Sequence, residues 1–494
     1  MNEQLDSRLV DWELPGFGII YPRSEVDYEG TRYVLARDAD GRKVLCVKGD
    51  VTGLEGEWRG DVWVGPLSVQ NAAVLRSRLP WLNPVPLDLA TSAGTGDRLG
   101  LATPGHLRAV RTVGGIAPIF AQQSMRENAR TGRTPQQVID DAMWGILQEG
   151  WCEPWGSDAD HLKTTDDVDL CVAAGYTFYT IDPGDHVDND AHTDDLQTLR
   201  AKFEALPWSR LSDYPDAMRA RYVGREQVIE DGYHGAFSVT FDETALLRAA
   251  CKYGRALAHT AEMYAHLVHA KDGAPFELEV SVDETETPTS PLEHVFIASE
   301  LSRLGVEWVS LAPRYVGRFE KGVDYIGDLD IFHKEFAKHA AIARVLGPYK
   351  LSIHSGSDKF SIYPLMAAET HRLAHLKTAG TSYLEALRAV AGVDPALFRE
   401  ILALAIARYG VDRATYHVSA DVAKVPRPDA LADDELANVL DLFDGREVLH
   451  VTFGSVLDVF GERLKSVLDA HEEAHYDALE KHFVRHLTPF REEA

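Results

Sequence analysis

The stretch that most constrains this chain is Phe276–Glu293, FELEVSVDETETPTSPLE. Phe276, Leu278, Val280 and Val282 alternate with Glu277, Glu279, Ser281 and Asp283, a period of two that dictates a β-strand. Glu284 and Glu286 follow in a turn. Ser290, Pro291 and Glu293 then supply the N-cap, first residue and capping-box partner of a helix. Central strands of α/β proteins usually bury two apolar faces. Here one face carries Glu277, Glu279 and Asp283, and burying carboxylates is costly unless they are paired, metal-bound or in use. An edge strand with a wet face would also explain the pattern. Its recurrence along the chain favours the buried reading.

From Asp97 onward, strands alternate with helices. Arg98–Thr103 reads as a strand ending at Pro104-Gly105, and Pro118–Ala121 as another running into Gln122-Gln123-Ser124. Thr134, Pro135 and Gln137 open a helix whose apolar stripe is Ile139, Met143, Ile146 and Leu147. After SDADHLKT (157–164) a helix reaches Ala174, and the strand Tyr176–Ile181 opens into Asp182-Pro183-Gly184-Asp185-His186. Residues 190–275 break the alternation and read as a helical insertion. Glu307–Ala312 is the next strand after the opening one, then comes a helix, Asp328–Leu346, stopping at Gly347-Pro348. Lys350–His354 leads into Ser355-Gly356-Ser357-Asp358-Lys359, and helices fill 361–410. Ala414–Ser419, carrying His417, and Val448–Phe453, carrying His450, read as the last strands before a charged closing helix. About nine strands, most followed by a helix, predict a (β/α)8 TIM-like barrel over 93–494. A doubly wound open sheet satisfies the same alternation. Residues 1–92 read as an N-terminal β-rich elaboration, with a hairpin over Tyr33–Lys48.

The chain has 494 residues, enough for a large core, and a formal net charge of −27. That charge argues against nucleic acid and anionic membrane surfaces as partners. Any anionic substrate would need a local basic pocket. Cys46, Cys152, Cys171 and Cys251 are far apart and form no CxxC pair. With no basic, apolar leader in MNEQLDSRLVDWELPG and no apolar run of membrane length, they point to the cytoplasm.

Barrel enzymes work at the C-terminal ends of their strands. Polar residues gather there: Gln123 and Ser124; Asp160, His161 and Lys163; Asp182, Asp185 and His186; Glu279, Asp283 and Glu284; Arg314; His354, Asp358 and Lys359; His417; His450. Several histidines with several carboxylates suit a divalent metal such as zinc or manganese, with nickel as a further option. Singly, each histidine is more often a hydrogen-bonded structural residue. His471-Glu472-Glu473-Ala474-His475 matches HExxH, but Asp469, Asp477, Glu480 and Lys481 around it predict a solvated helix instead. Gly94-Thr95-Gly96 precedes a predicted strand, where a dinucleotide motif must follow one.

The segments GDRLGLATPGH (96–106), QQSMRENARTGRTPQQV (122–138), DADHLKT (158–164), YTIDPGDHVDN (179–189), EVSVDETETPTSP (279–291), APRYVGRFEKGVDYIGD (312–328) and SIHSGSDKFSIYP (352–364) resemble the tagaturonate epimerase family over roughly 95–490. Its members interconvert D-tagaturonate and D-fructuronate, and some act on neutral ketohexoses. The resemblance implies a metal-dependent epimerase of hexuronate catabolism. It implies Asp160 and Glu279 as acid/base groups and His161 and His354 as metal ligands; His417 is added as a further candidate ligand. Ser124, Lys163, Asp182, Arg314 and Lys359 are the candidate substrate contacts, the cations among them, with Arg98, suiting a carboxylate. For each cation a salt bridge to neighbouring acids is the alternative role.

In ketose numbering the two uronates differ at C4, β to the C2 ketone, so direct proton abstraction there is unfavourable. Retro-aldol cleavage between C3 and C4, aided by a Lewis acid, is the expected route; transient oxidation at C4 is the other, and it would need a bound nicotinamide, for which the sequence carries no fingerprint. A metal-dependent sugar isomerase or aldolase on a similar barrel, and a catalytically silent carbohydrate-binding protein, remain as other classes.

Overall fold

The computed structural model describes residues 12, 16–233 and 235–491. Most of the N-terminal stretch read for a targeting segment lies outside the described residues. Five strands open the chain: β1 (Ile19–Tyr28), β2 (Thr31–Arg37), β3 (Lys43–Lys48), β4 (Glu57–Arg59) and β5 (Val62–Pro66). They form one antiparallel sheet in the order β1-β2-β3-β5-β4. Period-two alternation divides its side chains between two cores. Tyr33, Leu35, Leu45, Val47 and Trp63 join the main core, whereas Val34, Ala36, Val44, Cys46, Val62 and Val64 pack with Trp12 on the outer face. Arg37 ties the sheet to the C-terminal helices through Asp469 and Glu472.

The barrel strands are β6 (Ser92–Gly94), β7 (Ala117–Ser124), β8 (Gly156–Leu162) and β9 (Phe178–Ile181). After an excursion containing the hairpin β10 (Glu226–Ile229) and β11 (Phe237–Thr240), they continue as β12 (Glu277–Val282), β13 (Ser310–Pro313), β14 (Lys350–Ile353) and β15 (Ala374–Lys377). All eight pair in parallel and β15 closes onto β6, in the ring β12-β13-β14-β15-β6-β7-β8-β9. This is a (β/α)8 barrel, and the closure rules out the open sheet. The excursion is mainly helical and ends in the long helix Glu243–Lys271.

Three predicted strands are corrected. Arg98–Thr103 is a turn in which the Asp97 carboxylate accepts the backbone N–H groups of Leu99, Gly100 and Ala102; the helix Thr103–Val113 follows. Ala414–Ser419 is the end of a short 3-10 turn and irregular chain. Val448–Phe453 belongs to the helices Phe443–Val451 and Phe453–Ala470, so His450 is helical. In their place the barrel uses β6, β8 and β15, which the apolar pattern does not reveal.

The closing helix Glu472–Leu487 is not a solvated one. It buries His475, Tyr476, Leu479, His482, Phe483 and His486 against the barrel helices. A Cβ on Gly105 would come within 2.7 Å of Leu479 Cβ, so glycine is what lets it dock this closely. The C-terminal helices between Thr381 and Ala470 share a second apolar core built from residues such as Leu384, Leu402, Leu440 and Val456. No helix among the described residues is long and apolar enough to cross a membrane.

Candidate active site

The barrel interior is charged, and its charges pair across strands. Lys377 Nζ, at the end of β15, lies 2.9 Å from Asp158, 2.7 Å from Asp160 and 2.8 Å from Glu279. It also donates to Thr180 Oγ1 at 2.6 Å. Burial alone would lower the pKa of this ammonium. The three carboxylates outweigh burial and hold its pKa above the ordinary lysine value. In return, Asp160 and Glu279 stay ionised despite burial, held low chiefly by Lys377 and then by nearby histidines. Glu279 further accepts from Ser310 Oγ at 2.6 Å and sits 2.6 Å from His354 Nε2.

Two histidines meet above this network. The His161 and His354 rings stand 4.8 Å apart, edge to face. Asp182 Oδ2 holds His161 Nδ1 at 3.1 Å, and Asp283 Oδ1 lies 3.2 Å from His354 Nδ1. Burial disfavours the His354 imidazolium, but Asp283 and Glu279 overcome it and push the pKa up to about 10. His161 has φ of 53° and Ser355, next to His354, has φ of 49°. Left-handed backbone at residues other than glycine costs roughly 1–2 kcal/mol each, and such strain gathers at functional sites.

His161, Asp283 and His354 place ligand atoms within 4.8 Å of one another. Two imidazoles and a carboxylate are a donor set for zinc or a related ion, and a carboxylate behind His161 is the usual outer support of such a ligand. The cluster's excess of carboxylates, which draws a proton onto His354, would equally draw a cation. The residues therefore fit a divalent metal. A second histidine cluster, Asp358 with His482 and His486, does not: Arg446 Nη2 already sits 3.0 Å from Asp358 Oδ1, and the Asp358 N–H donates to His486 Nε2.

The cleft above the strands takes in about 510 Å³ when the space open to solvent is counted, and only about 50 Å³ of it can hold the centres of water-sized molecules. Its walls include Arg98, Gln122, Ser124, Asp160, His161, Lys321, His354 and Lys377. Ser124 also caps the helix Met125–Thr131 by accepting the Glu127 N–H. Asp182 and Lys163 stand just behind His161, Lys163 pairing with Asp185 at 2.9 Å. Glu279 lies beneath the cleft and reaches it through His354 and Lys377.

Three predicted residues stand apart. Arg314 donates weakly to the Asp283 carbonyl at 3.4 Å and does not line the cleft. Lys359 is fully buried elsewhere, its Nζ donating to the carbonyls of Glu320, Val323 and Ser357. Three backbone acceptors already engage the ammonium, and Lys359 is not among the residues that line the cleft. His417 is exposed on irregular chain and joins none of the ligand clusters among the described residues, because the strand expected to carry it does not form.

Sequence reasoning missed Lys377 and left Asp283 without a role. Lys377 lies in AHLK, too short and mixed to signal a strand, and its partners Asp160 and Glu279 are distant in sequence.

The tagaturonate epimerase family model, UxaE, matches residues 21–490. A tagaturonate/fructuronate epimerase of Thermotoga maritima is 46% identical over 421 residues, covering 85% of this chain and 84% of the relative. The native crystal structure of the fructuronate-tagaturonate epimerase UxaE from Cohnella laeviribosi superposes with a TM-score of 0.90 at 36% identity, covering 99% of each chain. Its form with two glycerols gives the same TM-score over 100% of each chain. The chain belongs to the tagaturonate epimerase family, a family of carbohydrate epimerases.

Proposed function

We propose that this enzyme interconverts D-tagaturonate and D-fructuronate by inverting C4 of the ketose, with a divalent metal held by His161, Asp283 and His354. The observation that carries the reading is this imidazole–carboxylate cluster standing beside the Lys377-linked carboxylates, in a chain of this family. Zinc is the first choice for that donor set, with manganese or nickel as alternatives. Bound by these residues, such an ion would supply Lewis acidity to the ketose.

The chain's own groups do the rest. Asp160, which lines the cleft next to His161, exchanges a proton with the C4 hydroxyl. Lys377 holds Asp160 in place and stabilises negative charge that develops on oxygen as the C3–C4 bond breaks. The electron pair of that bond passes to C3, and C4 becomes an aldehyde. The aldehyde turns over, the bond reforms on its other face, and Asp160 returns the proton. Glu279 keeps His354 and Lys377 oriented. Ser124, which lines the cleft, contacts the sugar. Lys163 and Asp182 act through His161 and its loop.

We assign this chemistry to a barrel domain over 93–494, whose first strand β6 begins one residue earlier at Ser92, with the sheet β1–β5 as an N-terminal addition. The four cysteines are free thiols, and we place the enzyme in the cytoplasm. Stripping divalent metal should abolish uronate epimerisation, and adding it back should restore it. Full turnover in a sample verified as metal-free would overturn the metal assignment.

A further inference from the structure

The cleft has a second end, and its chemistry differs from the first. In the barrel ring, β6 stands opposite β12, four places away in either direction. The loop after β6 therefore faces the strand that delivers Asp283 across the mouth. That loop carries Arg98, buried and lining the cleft. Its Nε and Nη2 both bind Glu127 Oε1, at 2.9 and 2.7 Å, and its guanidinium stacks 3.7 Å over the Phe453 ring. These contacts fix the plane of the group. They leave Nη1, also buried, without a partner among the described residues.

The surroundings are arranged for an anion. Lys321 lines the same cleft and makes no ion pair or hydrogen bond among the described residues. His450, buried nearby, has no partner for either ring nitrogen, and burial, then Arg98 and Lys321, keep it neutral, so it can offer an N–H. Gly380 makes the approach possible: a Cβ there would fall 2.4 Å from His450 Nε2 and 2.8 Å from Arg98 Nη2. Gly380 is also the N-cap of the helix Thr381–Val393 and gives its first N–H groups no side-chain partner, so partial positive charge collects at the same point. In a chain of net charge −27, a buried arginine with an unused N–H beside a free lysine is an anion subsite in need of its anion.

We propose that Arg98 and Lys321 anchor the C6 carboxylate of the uronate, across the cleft from His161, Asp283 and His354, and so set the preference for uronates over neutral ketoses. This rests on the uronate reading above and adds the substrate's orientation. The ketone end lies toward the histidines, and the C4–C6 fragment lies toward Arg98. After C3–C4 cleavage the same anchor would hold the three-carbon aldehyde acid while its carbonyl turns over.

The test compares metal-loaded wild type, Lys321→Met and Arg98→Lys, each checked by melting temperature. Two readouts are taken: kcat/KM on D-tagaturonate and on D-tagatose, and equilibrium binding of D-galacturonate against D-galactose. Loss of a charge-assisted hydrogen bond should lower uronate kcat/KM by roughly 10- to 100-fold, and the uronate-to-tagatose ratio by at least about tenfold. Wild type should bind galacturonate at least about tenfold more tightly than galactose, and each variant should erase that difference. Equal losses on both sugars, or wild type that binds both probes alike, would overturn the anchor. If Arg98→Lys does not fold, Lys321→Met decides. Wild type without uronate turnover would sink the substrate reading, and the binding arm would still decide the anchor.

Discussion

Replacing Lys377 with methionine should expose how the barrel interior is held together. The lysine is 3% exposed and touches Asp158, Asp160 and Glu279 within 3 Å. Methionine fills similar volume but leaves three buried carboxylates with only histidine protons to balance them. Breaking a buried ion pair in this one-sided way costs about 3–5 kcal/mol. The pH dependence follows from the shifts. In wild type the pKa values of Asp160 and Glu279 are depressed, so their contribution is present above the unfolded values of about 4 and is lost only below them. In Lys377→Met, burial acts without its main counterweight and those pKa values rise. The variant then gains stability as pH falls through the raised values, and its deficit narrows. Denaturant unfolding at pH 7.5 and pH 5, with metal content matched, reads this out. A variant within about 1 kcal/mol of wild type at pH 7.5, or a gap that does not narrow at pH 5, would refute the reasoning.

Glu279→Gln keeps the shape of the side chain but removes the charge that orients His354 and Lys377; kcat should fall roughly 100-fold with the circular dichroism spectrum intact, and a loss confined to KM would contradict this role. His417→Ala should leave metal content unchanged by elemental analysis and kcat/KM within about twofold, since the residue is exposed and outside the cleft; loss of bound metal would restore it as a ligand.

The residues that were legible and those that were not differ in one physical respect. β12 and β14 present enough apolar side chains for a strand to be read, and Glu279 within β12 and His354 just after β14 fall at the site. The helix Pro135–Glu149 was legible from its capping box, which forms as expected. β8, GSDADHL, and β15, AHLK, were not, because their inward residues Asp158, Asp160 and Lys377 are buried as charges paired across the barrel, with the polar His375 buried beside them. Hydrophobic periodicity detects burial of apolar surface and is blind to burial of paired charge. The false strands err in the opposite direction. VLHVTF in 448–453 is apolar enough for a strand, but it spans two helices that bury it against the C-terminal core. The His471–Glu472 region looked solvated because its charges dominate the sequence, yet Arg37, Lys43 and Arg108 neutralise several of them.

The central claim is that this chain inverts C4 of a ketohexuronate by breaking and remaking the C3–C4 bond. Epimerisation of D-tagaturonate in heavy water by the metal-loaded protein, followed by proton and carbon NMR of the inverted carbon, tests it most directly. The account predicts D-fructuronate that keeps its original hydrogen at C4 through many turnovers, together with slow incorporation of an added labelled C4–C6 aldehyde acid into product. Deuterium at C4, or the absence of any D-fructuronate, would contradict it.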